Sequence, residues 1–371
     1  MPKSYENFDG VFQNKRVLVT GNTGFKGSWL SLWLKQLGAE VFGYSIDIPT
    51  SPSIFSDELK ELVPTTFADV ADPEALTHTI LRVQPEFIFH LAAQPIVAKS
   101  YEDPLLTWQS NAIGTASVLE SVRRSGISNL SVVMVTSDKV YRNKEWHWGY
   151  RENDELGGED PYSASKAAAE LAIRSFVATQ IPVDKNLRIA VVRAGNVIGG
   201  GDWSQGRVVP DLVRTWVNGE ELVLRSPLAT RPWLHVLEPV SGYLLTAARL
   251  SAGKVGLGEA YNFGPRSETI ASVMKLSSAV AGVLGDGARI STSKSPPPFK
   301  ESSLLSLSSD KARSELGWFP VLSFDETAKW TGRWYSRHNH GESAINLVRE
   351  QIRDYENKIN MSPLWGVTDG A

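Results

Sequence analysis

Residues 16–38 read RVLVTGNTGFKGSWLSLWLKQLG, and this stretch indicates the fold class. Its first five residues form an apolar run that predicts a buried strand, and a turn with three glycines follows. Apolar residues then recur with helical spacing from Ser28 to Leu37, and Gly38 marks the end of the predicted helix. A glycine-rich turn between a strand and a helix is typical of a loop that binds a dinucleotide.

Each of the three glycines has a physical task in such a loop. Gly21 permits the tight turn, Gly24 lets the backbone approach a pyrophosphate, and Gly27 lets the helix pack on the strand. The N-terminus of the helix then faces the phosphate groups. The alternative is a plain turn between a strand and a helix. Three glycines at this spacing and in this position favour the dinucleotide.

The next predicted strand, residues 40–44, leads to the ribose end of the predicted cofactor site. Ser45 lies where an NAD site usually carries an acid, and Asp47 lies two residues further on. We predict that Asp47 binds the ribose hydroxyls, the alternative being a solvated turn. No arginine lies at this tip, which weighs against a 2′-phosphate and favours NAD over NADP.

Further apolar runs predict strands at 87–91, 132–136 and 187–193, and helical stretches separate them. This alternation predicts an α/β fold with a Rossmann-type doubly wound parallel sheet. After residue 193 the pattern becomes mixed, which favours a smaller C-terminal mixed α/β substrate domain. The predicted boundaries are 1–196 for the NAD-binding domain, with 231–263 returning to it, and 197–230 with 264–371 for the substrate domain.

Composition excludes several classes of function. The 371 residues carry a net charge of −3, so no basic field attracts nucleic acid. Cysteine is absent, which rules out disulfides, thiolate metal ligands and a cysteine nucleophile, and the six histidines lack metal-ligand spacing, so no metal is expected. The first residues lack the apolar run of a signal peptide, and no stretch is apolar enough to span a membrane. We therefore expect a cytoplasmic protein without a membrane partner.

A tyrosine and a lysine lie four residues apart in PYSASK, residues 161–166. Tyr162 and Lys166 share one face of a predicted helix, and a cation there favours the phenolate form of the tyrosine. Such a tyrosine can take the proton of an alcohol while hydride leaves its carbon. Ser137, at a strand end, supplies a polar group for the same oxygen. Chance surface spacing is the alternative, and the glycine loop upstream argues against it.

The stretch TSDKVY, residues 136–141, sets an acid, Asp138, beside a base, Lys139. Oxidation and reduction need only the serine, the tyrosine and the second lysine, so the pair is left for another proton-transfer task. The alternative is an exposed ion pair at a strand end, which contributes little to stability. Neighbouring residues on a strand point to opposite faces, so either interpretation requires loop geometry here.

Several motifs together resemble the extended short-chain dehydrogenase/reductase family, and within it the nucleotide-sugar 4,6-dehydratases. The motifs are GNTGFKG, HLAAQ, SDK, YSASK, QPIVAKSYEDP at 94–104, NAIGT at 111–115, RAGNVIGGGD at 193–202 and RPWLHV at 231–236, and the resemblance covers roughly residues 12 to 335. These enzymes usually carry an Asp-Glu pair where this sequence has Asp138 and Lys139. The Asp-Lys pair is most similar to that of the CDP-glucose 4,6-dehydratases, although some UDP-N-acetylglucosamine 4,6-dehydratases share it.

The resemblance implies a reaction with NAD as a bound catalytic cofactor. C4 of CDP-glucose is oxidised, water is eliminated across C5 and C6, and hydride returns to C6, which gives CDP-4-dehydro-6-deoxy-D-glucose for deoxysugar and surface-polysaccharide (lipopolysaccharide O-antigen) synthesis. Tyr162 would be the base for the C4 hydroxyl, tuned by Ser137 and Lys166. Asp138 would be the acid for water loss, and Lys139 the base for the C5 proton.

Three alternatives to this reaction stay open. The first is a 4,6-dehydratase acting on dTDP-glucose, GDP-mannose or UDP-N-acetylglucosamine. The second is a nucleotide-sugar 4-epimerase, which has no need for the acid–base pair of Asp138 and Lys139. The third is an NAD-binding sensor without activity, which has no need for Ser137, Tyr162 and Lys166.

The resemblance also implies binding residues and an assembly. The expected cofactor contacts are Gly21, Thr23, Gly24, Phe25, Lys26, Gly27, Asp47, Asp69, Val70, Leu91, Ala92, Ala93, Gln94, Asn111, Tyr162 and Lys166. The expected contacts of the nucleotide-sugar diphosphate are Asn196, Arg207 and Arg231, the alternative for the arginines being mere surface charge. A homodimer or higher homo-oligomer is expected, through a helix bundle that includes the Tyr162–Lys166 helix.

Overall fold

The structure is a computed structural model, and it describes residues 8–55, 57–181, 186–266, 271–285, 287–293, 304–363 and 365–367. Its strands are β1 (Arg16–Thr20), β2 (Glu40–Ser45), β3 (Thr65–Phe67), β4 (Phe87–His90), β5 (Ser131–Val135), β6 (Arg188–Ala194), β7 (Val197–Ile198), β8 (Glu221–Leu224), β9 (Thr230–Arg231), β10 (Leu234–His235), β11 (Ala260–Phe263), β12 (Ala271–Ser272) and β13 (Arg289–Thr292). Its helices are α1 (Phe25–Gln36), α2 (Asp57–Leu62), α3 (Pro73–Val83), α4 (Val97–Glu102), α5 (Pro104–Trp108), α6 (Gly114–Ser125), α7 (Pro161–Thr179), α8 (Val208–Val217), α9 (Leu237–Ser251), α10 (Val273–Leu284), α11 (Phe324–Asn339) and α12 (Ala344–Met361).

Seven strands form one sheet in the order β11-β6-β5-β4-β1-β2-β3, and every neighbouring pair is parallel. The strand order reverses between β1 and β4, which is where ligands bind in open parallel sheets, outside the carboxyl ends of the strands. The prediction of a doubly wound Rossmann-type sheet is therefore confirmed.

Helices cover both faces of this sheet. Successive side chains of each strand point to opposite sides, so an apolar strand needs a packing partner on each face. On strand β5, Val133 and Val135 join a hydrophobic cluster that includes residues of α1, α9 and α12. Val132 and Met134 join a second cluster with α3, α6 and α7. Strand β5 is thus buried on both faces, as its continuous apolar run predicts.

The smaller mixed region lies around the parallel pair β8 and β13, and helix α10 packs against α8 and α11. Helix α12 instead packs against α1, where the Trp33 indole N–H donates to a Glu356 carboxylate oxygen at 2.8 Å. The two-domain boundaries given above stay a prediction. Among the described residues, no helix combines the length and the apolar content that crossing a membrane would require.

Candidate active site

The glycine turn after β1 has the backbone that the sequence requires. Gly21 has φ of +74°, and a Cβ added there would lie 2.7 Å from the backbone nitrogen of Ala92. A Cβ on Gly27 would lie 2.0 Å from the carbonyl oxygen of Gly21. A Cβ on Gly24 would have its nearest neighbour at 3.4 Å, so this glycine leaves space on its outer side. Gly21 and Gly27 thus serve internal packing, whereas Gly24 keeps the loop open to a ligand.

Helix α1 begins at Phe25 with its N-terminal N–H groups available. The N-cap residue is Gly24, no side chain caps the helix, and its first turn contains no acidic residue. The first N–H groups of a helix have no partner within the helix, and the helix dipole favours an anion there. The loop and the helix therefore fit the pyrophosphate of a dinucleotide.

The ribose end of the loop is built from neutral groups. Ser45 is buried and donates to Oδ1 of Asn22 at 2.9 Å, and the Thr23 N–H donates to Ser45 Oγ at 3.4 Å. The Thr23 hydroxyl donates to the carbonyl oxygen of Asp47 at 2.6 Å, while the Asp47 side chain is exposed. The contact between Asp47 and a ribose stays a prediction.

The predicted cofactor contacts after β4 line the same edge of the sheet. Gln94 and Asn111 are buried and hydrogen-bonded to each other, since the Gln94 N–H donates to Asn111 Oδ1 at 2.8 Å. Asn111 lies in a π-helical turn, Gln109–Ile113, and its amide donates to Ser165 Oγ at 2.9 Å. Asn111 thereby ties this loop to the helix that carries Tyr162.

Asp69 and Val70 lie in the loop after β3, next to this edge. The Asp69 carboxylate accepts the N–H of Ala71 at 2.9 Å, and its carbonyl oxygen accepts the Tyr44 hydroxyl at 3.0 Å. Val70 is buried against Gly114. Both residues are held firmly, and their contact with a cofactor stays a prediction.

The acid and the base of TSDKVY are joined in a short helical turn, Asp138–Val140, just beyond β5. Ser137 caps this turn by accepting the Lys139 N–H at 3.2 Å. The Ser137 hydroxyl donates to Oδ1 of Asp138 at 2.9 Å, and the Lys139 ammonium donates to the same oxygen at 3.1 Å. Asp138 is 1% exposed, whereas the Lys139 side chain is 27% exposed. The turn supplies the loop geometry that a strand does not allow.

Tyr162 lies in the first turn of α7, which Asp160 caps by accepting the Ser163 N–H at 3.0 Å. Burial raises the pKa of the Tyr162 phenol. The positive charge of Lys139 and a hydrogen bond with Ser137 act in the opposite direction. The structure thus brings Tyr162 together with the SDK turn.

Lys166 is buried one turn further along α7, and its ammonium lies 3.5 Å from the carbonyl oxygen of Val135. Burial lowers the pKa of Lys166 to about 8, and the Glu170 carboxylate opposes this shift. Glu170 is not among the site residues predicted above. Its spacing of four residues from Lys166 could have indicated it, because this spacing places the acid on the same helix face as the lysine.

Glu170 belongs to a buried network beneath the site. The Thr136 hydroxyl and Nε of Arg193 each donate to Oε1 of Glu170 at 2.7 Å. Arg193, fully buried, also donates to the Tyr141 hydroxyl at 2.6 Å. Since the two charges are paired and hydrogen-bonded, the network fixes α7 relative to β5 and β6 without leaving a bare buried charge.

Two further cations approach the catalytic residues. Burial, followed by the positive charges of Arg207 and Lys166, lowers the pKa of Lys26 to about 7, and Asp138 acts against this. Arg207 donates to a carboxylate oxygen of Asp202 at 2.8 Å, and its charge acts on Tyr162. Lys26 of the glycine loop and Arg207, which is predicted to bind the substrate diphosphate, therefore both lie near the catalytic residues Asp138 and Tyr162.

Asn196 and Arg231 are the other predicted substrate residues. Asn196 follows β6, and Arg231 forms part of β9. Oδ1 of Asn196 is buried and has no hydrogen-bond partner within the described parts of the chain, so it can accept from a ligand. Arg231 is half-buried and donates to the carbonyl oxygen of Thr230 at 2.8 Å. Their contacts with a substrate stay predictions.

Comparison with known proteins decides the family. The sequence model of the family described as GDP-mannose 4,6 dehydratase matches residues 18–331. The chain belongs to this family. The resemblance to nucleotide-sugar 4,6-dehydratases that the motifs indicate is thereby confirmed.

Relatives of this member of the GDP-mannose 4,6-dehydratase family include dehydratases and epimerases. The CDP-glucose 4,6-dehydratase of Salmonella typhimurium is 43% identical over 349 residues, which cover 93% of this chain and 97% of that protein. The UDP-glucose 4-epimerase of Mycolicibacterium smegmatis is 27% identical and covers 84% of this chain and 95% of its own.

Solved structures show the same fold. A structure of DesIV, a dTDP-glucose 4,6-dehydratase from Streptomyces venezuelae with NAD and DAU bound, has a TM-score of 0.72 and 24% identity, covering 88% of this chain and 98% of that one. The match extends over the cofactor-binding sheet and the smaller region together.

Proposed function

We propose that this chain is a CDP-glucose 4,6-dehydratase with NAD as its bound cofactor. The observation that carries the proposal is the hydrogen-bonded set of Ser137, Asp138 and Lys139 directly beside Tyr162. A dehydrogenase or an epimerase needs the tyrosine but has no use for an acid and a base joined to it. The 43% identity to the Salmonella typhimurium CDP-glucose 4,6-dehydratase over 93% of the chain supports CDP-glucose as the substrate.

The cofactor site fits the proposal. The open glycine turn and the uncapped N-terminus of α1 would hold the pyrophosphate, with Gly24 allowing close approach. When bound, NAD supplies a hydride acceptor that is regenerated within each turnover, so no external oxidant is consumed. The protein's task is to move protons at C4, C5 and C6 in step with this hydride transfer.

Tyr162 takes the proton of the C4 hydroxyl. Its burial favours the neutral phenol, whereas the charges of Lys139 and Arg207 and the hydrogen bond with Ser137 favour the phenolate. Ser137, just after β5, orients the phenol through this hydrogen bond, and the Lys166 ammonium lies one helical turn away at the carbonyl oxygen of Val135. Once C4 is a ketone, the proton on C5 becomes acidic and elimination becomes possible.

Asp138 and Lys139 then carry the elimination. As an ion pair they hold the wrong protons, because the acid must be protonated and the base neutral. Transfer of one proton along the 3.1 Å hydrogen bond from Nζ of Lys139 to Oδ1 of Asp138 corrects both groups at once. Lys139 next takes the C5 proton, and Asp138 gives its proton to the C6 oxygen, which leaves as water. On hydride return to C6, Lys139 gives its proton back to C5, and the proton that Tyr162 took from the C4 hydroxyl passes to Lys139, whose charge already acts on the phenol. Each turnover therefore ends with the ion pair and the phenolate restored, and water is the only group released.

The test is incubation of the purified protein with CDP-glucose, dTDP-glucose, GDP-mannose or UDP-N-acetylglucosamine and a catalytic amount of NAD, followed by mass spectrometry. We expect the loss of one water from CDP-glucose. Loss of water only from another nucleotide sugar would refute the substrate, and conversion without a change in mass would indicate an epimerase. A Tyr162→Phe variant is the control, because it should leave every sugar unchanged.

We further propose a homodimer through the helices that surround α7. Large apolar side chains are exposed there on adjoining elements, since α4 and α5 both pack against α7. They are Tyr101, Leu105, Trp108, Ile113 and Leu171. An exposed apolar patch of this kind marks an interaction surface. A cytoplasmic location stays a prediction.

A further inference from the structure

Tyr243 is a buried tyrosine for which the reaction described above has no use. It lies in helix α9, has no exposed surface, and its ring packs against that of Phe263 at 5.9 Å. Its hydroxyl has no hydrogen-bond partner in the regions that the structure describes. A buried hydroxyl without a partner is costly, so a fully apolar position would favour phenylalanine instead.

Asp138 presents the complementary feature. Its Oδ1 accepts hydrogen bonds from Ser137 and Lys139, whereas its Oδ2 is buried without a partner among the described residues. A carboxylate oxygen is an acceptor, and a tyrosine hydroxyl is both a donor and an acceptor. Each of the two groups therefore needs a partner that the described residues do not supply, and one bridging molecule can serve both.

The packing of α9 brings the two groups into the same part of the protein. Helix α9 packs against β5, and Val135 at the end of β5 lies in the same hydrophobic cluster as Tyr243. Burial raises the pKa of Tyr243, and the negative charges of Tyr162 and Asp138 raise it further, so both groups lie close enough to act on its hydroxyl. Tyr243 thus lies on the helix that packs against β5, the strand that leads into Ser137 and Asp138.

We propose that Tyr243 is a positioning residue that holds Oδ2 of Asp138 through one buried water molecule. The hydroxyl of Tyr243, Oδ2 of Asp138 and the hydroxyl of Tyr162 give such a water the polar partners that buried waters have. The inference rests on the proposed role of Asp138 as the acid of the elimination.

The contact would decide which carboxylate oxygen carries the proton. With Oδ2 occupied by a donor, the proton that arrives from Lys139 stays on Oδ1, the oxygen that the Lys139 ammonium contacts. Titratable groups reach Asp138 from its chain neighbour Lys139, from Lys26 on α1, and from Tyr162 and Tyr243 on α7 and α9.

The contact itself is tested by thermal unfolding in a double-mutant cycle of Tyr243→Phe and Asp138→Ala. The substitution to phenylalanine keeps the buried ring, so the variant should fold. We expect Tyr243→Phe to lower Tm in the wild-type background and to leave it unchanged or raise it in the Asp138→Ala background. Equal changes in the two backgrounds would overturn the proposal, whatever reaction the protein catalyses.

The functional consequence is tested by the steady-state kinetics of water loss. Losing the contact leaves the carboxyl free to turn, so kcat for water loss should fall about tenfold, while KM and the formation of enzyme-bound NADH stay unchanged. Tyr261→Phe is the matched control, because Tyr261 is equally buried but its hydroxyl donates to Glu315 at 2.8 Å.

The outcomes separate this inference from the proposed function. A wild-type protein that dehydrates CDP-glucose, with Tyr243→Phe showing an unchanged kcat, would overturn the role of Tyr243 alone. A wild-type protein that releases no water would overturn the proposed function, and the thermal cycle would then still decide whether Tyr243 and Asp138 interact.

Discussion

The ammonium group of Lys139 lies 3.1 Å from Oδ1 of Asp138, its immediate neighbour in the chain. Adjacent residues on a strand diverge, so this approach exists only because the backbone leaves β5 and enters a short helical turn at Asp138. The carboxylate is buried while the lysine is partly exposed. A substrate can therefore reach the Lys139 ammonium directly, whereas the Asp138 carboxylate lies behind it.

Removing the base should separate the two halves of the reaction. In Lys139→Ala, Tyr162 and the cofactor site remain, so we expect NADH to appear on the enzyme after addition of CDP-glucose. Dehydration should fall by roughly 10²- to 10⁴-fold, the usual contribution of a general base. Absorbance of NADH and mass spectrometry of the sugar measure the two halves.

Lys144→Ala is the matched control for that variant, since Lys144 pairs with Glu155 at the surface of the next loop. Its dehydration rate should equal that of the wild type. Full dehydration by Lys139→Ala would show that another group takes the C5 proton.

Alanine substitutions at two glycines of the turn should have different effects on stability and NAD binding. Gly27→Ala places a Cβ 2.0 Å from the Gly21 carbonyl oxygen, so we expect a loss of stability together with a loss of NAD binding. Gly24→Ala meets its nearest atom at 3.4 Å, so the fold should persist while the added methyl group obstructs the pyrophosphate.

Calorimetric titration with NAD and thermal unfolding distinguish these two effects. Gly282→Ala on helix α10 is the control, because a Cβ there meets nothing within 4 Å. It should bind NAD normally and be slightly more stable, since alanine favours helix. Normal NAD binding by Gly24→Ala would contradict the placement of the pyrophosphate.

A buried carboxyl in α9 predicts how stability depends on pH. Burial raises the pKa of Glu238 to about 7, against hydrogen bonds from the Tyr355 hydroxyl and the N–H groups of Leu322 and Val321. Between the ordinary value of 4.5 and about 7 the folded protein binds more protons than the unfolded chain. Stability contributed by this group is therefore lost as pH rises through that window, up to about 3 kcal/mol.

Glu238→Gln should remove this loss, because the amide keeps an acceptor for the two N–H groups and does not ionise. Urea unfolding at several pH values measures the change, and Glu221→Gln at the exposed start of β8 is the control. A wild-type and a Glu238→Gln protein with parallel pH profiles would refute the role of Glu238.

The proposed dimer predicts a change in molecular mass. Leu171 on α7 is 57% exposed, and Leu171→Glu would bury a charge in the interface. We expect sedimentation to show a dimer for the wild type and a monomer for this variant. Leu228→Glu, at a position that is 84% exposed and outside these helices, should remain a dimer. A monomeric wild type would refute the proposal.

Much of this protein follows from its sequence, because the deciding patterns are local. The apolar runs and the glycine turn predict the parallel sheet, since strand, turn and helix each depend on residues within a few positions. The spacing of Tyr162 and Lys166 predicts their shared helix face for the same reason. The pair Asp138–Lys139 is visible as a departure from the usual Asp-Glu pattern.

Contacts between distant segments could not be predicted in this way. The sequence indicates that Asp47 follows β2, but only the structure shows Ser45 already engaged by Asn22. Arg193 and Glu170 are twenty-three positions apart, and no spacing rule joins them.

The sequence alone determined the sheet, the cofactor loop and the set of groups that can move protons. The tertiary structure decided which of them act together, because burial and hydrogen bonding depend on what folds against each group. Tyr243 shows the difference, since in the sequence it is one apolar residue of a helix. In the structure its hydroxyl is buried without a hydrogen-bond partner among the described residues, on the helix that packs against β5.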